Sequence, residues 1–275
     1  MDVTADPSGG SSGDSSGGSD GDLSAPAVSM ALRGRQVRAY PALLSTEAVA
    51  MAWARDGAPS GAVVVADYQA SPRGRGGLPW TVRQGHGLGF TLLLRPELPP
   101  AREGWPYVAA LLALHDILGT DGTGLAWPDT VHAAGGGILA RLGVYVELGP
   151  SRTEWISVTV LAEEVPRPRS ALLAVLVAAL EERLTAPAEE VLADYLPRCS
   201  TLGQQRRARL IPMGPGGPEV TGEAVDVLAD GALVLLTARG NRVAVPPHNL
   251  GLLEEPAGPV EPPERLFGQA GPRPP

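Results

Sequence analysis

The segment Ser71-Pro72-Arg73-Gly74-Arg75-Gly76-Gly77-Leu78-Pro79-Trp80 sets two arginines in a glycine loop and ends on an indole. A guanidinium is a planar fork that pairs bidentately with phosphate or carboxylate, glycine lets backbone amides approach such an anion, and an indole can lie against a purine ring. Side chains of these types at this spacing suit an anion held beside an aromatic base. All 22 basic residues of the 275 are arginine, so chemistry that needs a lysine side chain, including a Walker-type phosphate loop, is excluded. A composition rich in Ala, Gly, Pro and Arg accounts for the missing lysines as a codon bias. His86, His115, His132 and His248 are dispersed, with no pair at helical spacing beside a carboxylate, so no metal site is expected.

The elements around the loop follow from pattern. Val63-Val64-Val65, flanked by Ala62 and Ala66, is a continuous apolar run of the kind that forms a strand buried on both faces, and it leads into the arginine loop. Ser45-Thr46-Glu47 opens a helix with a hydroxyl cap and an early acid, and Gly57 ends it. A strand at 89–94, a helix at 105–118, β-type segments at 122–127, 138–147 and 155–162, and helices at 171–184 and 189–196 follow. From Ala208 onward the pattern changes to short strands separated by turns such as Asp230-Gly231 and Gly240-Asn241, as in a small barrel. The fold class expected is therefore α+β, with a mixed or antiparallel sheet and flanking helices ahead of an all-β unit.

Residues 1–27 form a Gly/Ser/Asp-rich stretch expected to be disordered, 28–200 a first domain, 201–253 the small β domain, and 254–275 a Pro-rich disordered tail. A hydrophobic content of 44% suffices for a real core, while a net charge of −8 without a long basic block argues against nucleic-acid binding. Cys199 is the single cysteine, which excludes an internal disulfide. No apolar run is long enough for a membrane span and no signal-peptide layout opens the chain, so a cytoplasmic protein is expected.

Taken in order, Leu43-Leu44-Ser45-Thr46-Glu47, Asp67-Tyr68-Gln69, Arg73-Gly74-Arg75-Gly76-Gly77, Trp80, Leu125-Ala126-Trp127-Pro128-Asp129, Gly137-Ile138-Leu139 and Cys199-Ser200-Thr201-Leu202-Gly203 resemble the biotin protein ligases. The resemblance is to the form without an N-terminal DNA-binding domain and spans nearly all of the folded region. It implies a class II synthetase-like sheet followed by an SH3-like C-terminal barrel. It also implies ATP-dependent activation of biotin to biotinyl-5′-adenylate, with Mg²⁺, and transfer to a lysine of a biotin carboxyl-carrier protein, a subunit of acetyl-CoA or a related acyl-CoA carboxylase.

By the same resemblance Ser45 and Thr46 match the pair that bonds the ureido ring, and Gln69 lines that pocket. Arg73, Gly74 and Arg75 form the loop over the adenylate, Trp80 packs on adenine and Gly137 lies beside the acyl chain. The family's lysine stretches become Ala126-Trp127-Pro128-Asp129-Thr130 and Ala134-Gly135-Gly136-Gly137-Ile138-Leu139, so Ala134 stands where the essential lysine would be and no catalytic residue is assigned. Arg83 and Arg141 lie in neighbouring segments as replacement cations. Two other readings stay open: a silent paralogue that binds biotin, adenylate or carrier without joining them, and a ligase for lipoate or another acid.

Overall fold

A computed structural model describes residues 21–80, 85–211 and 216–256. In chain order these form α1 (Ala25–Ala31), β1 (Val37–Leu43), α2 (Thr46–Arg55), β2 (Val63–Gln69), β3 (Leu88–Leu94), α3 (Trp105–Leu118), β4 (Gly124–Ala126), β5 (Thr130–His132), β6 (Ile138–Leu148) and β7 (Thr153–Ala162). Helices α4 (Arg169–Thr185) and α5 (Ala188–Tyr195) lead into β8 (Gln205–Leu210), β9 (Glu219–Val227), β10 (Leu233–Leu236), β11 (Arg242–Val245) and β12 (Leu250–Glu254).

The first seven strands make one mixed sheet in the order β1-β2-β3-β7-β6-β5-β4. Only β1 and β2 run parallel; the remaining pairs are antiparallel. Side chains alternate across a strand, so the Val63-Val64-Val65 run must be covered on both sides. Val63 and Val65 join the core built with α3 and α4, whereas Val64 packs with Ala50 and Ala54 of α2 and with Trp155. The expected two-sided burial is found. Helix α3 is buried along Trp105 to Leu114, which places it at the centre of the larger core.

The last five strands form an antiparallel sheet, β11-β10-β9-β8-β12, with β11 and β12 at its edges, which agrees with the small C-terminal β unit expected from the sequence. It is fastened to the larger sheet around α3. A Cβ on Gly104 would lie 2.6 Å from the Asp230 carbonyl, and one on Gly231 would lie 2.2 Å from the Gly104 carbonyl. Only hydrogen fits at either position.

Two features differ from the sequence reading. Order begins before residue 28: Leu23 is buried, and Asp22 accepts from the Arg169 Nε at 2.9 Å, so a salt bridge and an apolar anchor hold a stretch whose composition reads as tail. The strand β1 carries Pro41, which weakens its pattern. It lies at the sheet edge, and its ladder with β2 passes from Tyr40–Ala66 to Ala42–Tyr68, leaving the proline out of the pairing.

Candidate functional site

The arginine loop leaves the end of β2 and closes on itself. Gly74 N–H donates to the Leu78 carbonyl at 2.9 Å and Trp80 N–H to the Pro72 carbonyl at 3.1 Å. Gly76 and Gly77 turn the chain at φ of 63° and 75°, a region that glycine enters without strain. Gly74 has a different duty. A Cβ there would stand 2.1 Å from Trp80 Cε2, so the missing side chain lets the indole lie flat on the loop. On the other side Gly143 of β6 meets Gly74, and its own Cβ would lie 3.1 Å from the Gly74 Cα.

The loop, the β4–β5 turn and the second sheet enclose a cavity of about 430 Å³. Its wall carries the guanidiniums of Arg75, Arg141 and Arg206, the carboxylate of Asp129, the hydroxyls of Thr130 and Thr201, and the indoles of Trp80 and Trp127, with Ala126 among them. Arg75 is buried; its Nε donates to Asp129 Oδ2 at 2.8 Å, and its Nη1 donates to the Leu250 carbonyl. One guanidinium thus joins the loop, the Trp-Pro-Asp turn and β12. Trp127 ties the same corner, donating its backbone N–H to Thr201 Oγ1 at 2.9 Å and its Nε1–H to the Gly231 carbonyl at 3.0 Å.

A second group lies at the start of α2. Ser45 caps that helix, accepting from the Ala48 N–H at 3.5 Å. Thr46 donates to Gln69 Oε1 through its N–H at 2.8 Å and its hydroxyl at 3.1 Å; Thr91 donates to the Thr46 hydroxyl at 3.0 Å and bonds the Thr159 hydroxyl at 2.9 Å. This ladder crosses a buried sheet face, and Gly89 leaves room for the Gln69 amide, since a Cβ there would lie 2.3 Å from Nε2. Glu47 is half-buried in the next position. Burial pushes its carboxyl up to about 7, while the charge of Arg73 pulls in the opposite direction.

The residues singled out in the sequence therefore divide. Arg75 and Trp80 stand on the cavity wall; Thr46 and Gln69 belong to the buried ladder and Ser45 caps the helix beside it, all three outside that wall; Gly74 underlies the indole. Arg73 is exposed and donates to the Gly77 carbonyl at 3.0 Å, bracing its own loop. Gly137 and Ala134 occupy the exposed β5–β6 turn, where Ala133 N–H bonds the Gly137 carbonyl at 2.7 Å. Arg83 lies outside the described residues. Thr91, Thr159 and Arg206 carried no sequence signal, because each belongs to the site only through strands that are distant in the chain.

No protein-family model matches the chain. The structure resembles the biotin protein ligase of Aquifex aeolicus in complex with biotin and ATP, with a TM-score of 0.58 and 21% identity, covering 82% of this chain and all of that one. At that identity the likeness establishes the fold. A biotin protein ligase-like protein of unknown function from Silicibacter is similar at a TM-score of 0.56 and 15% identity, over 79% of this chain and 95% of that one. The sequence carries more. It is 33% identical over 216 residues to the biotin–[acetyl-CoA-carboxylase] ligase of Mycobacterium tuberculosis, covering 70% of this chain and 79% of the relative. Over a shorter stretch of 103 residues, 36% of this chain and 31% of the relative, it is 31% identical to the bifunctional ligase/repressor BirA of Bacillus subtilis. With that identity sustained along most of the mycobacterial ligase, and the same fold beneath it, the chain belongs to the biotin protein ligase family.

Proposed function

We propose that this chain activates biotin with ATP and passes the biotinyl group to a lysine of a biotin carboxyl-carrier protein. The observation that carries the reading is the 33% identity to the mycobacterial ligase over 79% of its length. The cavity suits such a reaction: the Trp80 indole on its wall offers a face to adenine, and the wall carries three guanidiniums but one carboxylate, Asp129. In the first step a biotin carboxylate oxygen bonds the α-phosphorus of ATP and the bond to the β-phosphate oxygen breaks, releasing pyrophosphate. In the second the carrier lysine attacks the acyl carbon and AMP leaves.

Ser45, Thr46 and Gln69 are proposed to orient the biotin ring, with Arg73, Gly74 and Arg75 as the loop over the adenylate, Trp80 on the base and Gly137 beside the acyl chain. Hydroxyls and an amide already ordered by mutual bonds cost little to present to a ligand. Mg²⁺ keeps several waters and binds through one or two carboxylates plus substrate phosphates. Among the described residues no cluster of three or more His, Cys, Asp or Glu side chains could hold a metal, and Asp129 is the carboxylate on the cavity wall. The residues therefore fit a magnesium brought in on the triphosphate, where it would neutralise phosphate charge. The acceptor is proposed to be the carrier subunit of acetyl-CoA or a related carboxylase. The site of action is proposed to be the cytoplasm; no helix among the described residues is long and apolar enough to cross a membrane.

Ala134 favours a second reading, a paralogue that binds without ligating, because it brings no charge and lies exposed in a turn. Thermal shift and calorimetry with biotin, lipoate, ATP and biotinyl-5′-adenylate separate the readings. Biotin and adenylate affinity with pyrophosphate release supports the ligase; affinity without release supports the paralogue; a preference for lipoate overturns both.

A further inference from the structure

Position along β6 decides which side chains reach the cavity. Alternation puts Ala140 and Leu142 into the larger core, so Arg141 and Gly143 share the opposite face. Gly143 is the residue on which Gly74 of the arginine loop rests, which fixes that face as the loop side. Arg141 also stands opposite Thr130 in the β5–β6 ladder, one residue from Asp129, and it lines the cavity.

Its bonding sets it apart. Arg75 is neutralised by Asp129, and Arg206 lies 3.5 Å from the Glu255 carboxylate. Arg141 has no hydrogen-bond or ion-pair partner among the described residues, and its Nε is buried. A half-buried guanidinium without an acceptor lowers stability unless a ligand supplies one, and an arginine fork is matched by phosphate or carboxylate oxygens. Ala134, by contrast, is exposed and absent from the cavity wall, with the nearby Gly122 leaving only 2.9 Å between its own would-be Cβ and that of Ala134.

Resting on the ligase reading, we propose that Arg141 is the catalytic cation of the adenylation step, contacting the α-phosphate and the biotin carboxylate in the role for which this chain has no lysine. The carboxylate and the phosphate repel as the new P–O bond forms, and charge passes to the departing pyrophosphate. A fixed guanidinium aimed at that charge lowers the barrier without any proton transfer.

The test compares the full chain with Arg141→Ala and Arg141→Lys. ATP and adenosine binding are measured by calorimetry, and biotin-dependent pyrophosphate release by single turnover. Arg141→Ala should weaken ATP binding about tenfold or more while adenosine binding stays within about twofold, and it should slow pyrophosphate release by about 10² to 10³. Arg141→Lys should recover part of both. Equal losses for ATP and adenosine, unchanged ATP binding, or no ATP binding by the parent chain overturns the proposal. The nucleotide comparison needs no turnover, so a parent chain that binds ATP through Arg141 yet releases no pyrophosphate contradicts the ligase reading and the catalytic role while retaining the phosphate contact.

Discussion

Arg75 and Asp129 meet at 2.8 Å through Nε and Oδ2, and with them the arginine loop is locked to the Trp-Pro-Asp turn. The Arg75 side chain is 7% exposed and that of Asp129 is 24% exposed, so the pair is screened from water on one side only. Removing one partner strands the other charge. Asp129→Asn should therefore cost about 1 to 3 kcal/mol in urea unfolding, below the full penalty of a sealed ion pair because water reaches Asp129. A double-mutant cycle with Arg75→Met should return a favourable coupling, and additive losses would contradict the lock.

Gly74 predicts a change confined to the nucleotide side. Gly74→Ala places a methyl 2.1 Å from the Trp80 ring and must move the indole. ATP affinity should fall about tenfold or more with the biotin affinity retained, since base stacking is worth roughly 1 to 3 kcal/mol. Gly76→Ala serves as the comparison: nothing lies within 4 Å of the added methyl, and the φ of 63° costs about 1 to 2 kcal/mol of stability without displacing Trp80.

Gln69 holds the Thr46 backbone N–H and hydroxyl in a buried setting. Gln69→Ala leaves both without an acceptor and should cost about 1 to 3 kcal/mol in thermal or urea unfolding. If the ladder also presents Ser45 and Thr46 to biotin, the biotin affinity should fall in the same variant while ATP affinity is preserved.

Glu47 predicts a pH dependence. Its carboxyl is raised by burial from an ordinary 4.5 to about 7, so the folded state holds a proton that the unfolded chain has released. The stability it contributes is fully present below about 4.5 and is lost as pH rises through 7. Glu47→Gln should therefore raise the melting temperature at pH 8 relative to the parent and change it little at pH 4. An equal shift at both pH values would contradict a buried, protonated carboxyl.

Much of this was readable from side-chain pattern, and the remainder was not for identifiable reasons. The Val63–Val65 run, the helix over Trp105–Leu118 and the strands β8 to β11 of the second sheet are set by local periodicity, which survives into the structure, whereas β12 was not marked by it. Strand β1 escaped because Pro41 breaks the strand pattern, and an edge position tolerates what a central strand would not. The arginine loop was legible as an anion loop, yet only the fold shows that Arg75 is committed to Asp129 and Leu250 while Arg73 braces Gly77. Partners at separations of 54 and 175 residues leave no trace in spacing. Arg141 was visible only as a neighbouring arginine until β6 fixed which way its side chain faces.

Whether this chain activates biotin in the absence of a lysine is decided by pyrophosphate release from purified protein given ATP and Mg²⁺, with and without biotin. Release that requires biotin, with biotinyl-5′-adenylate identified by mass, is the result predicted. Measurable biotin binding with no release above the biotin-free background would contradict it.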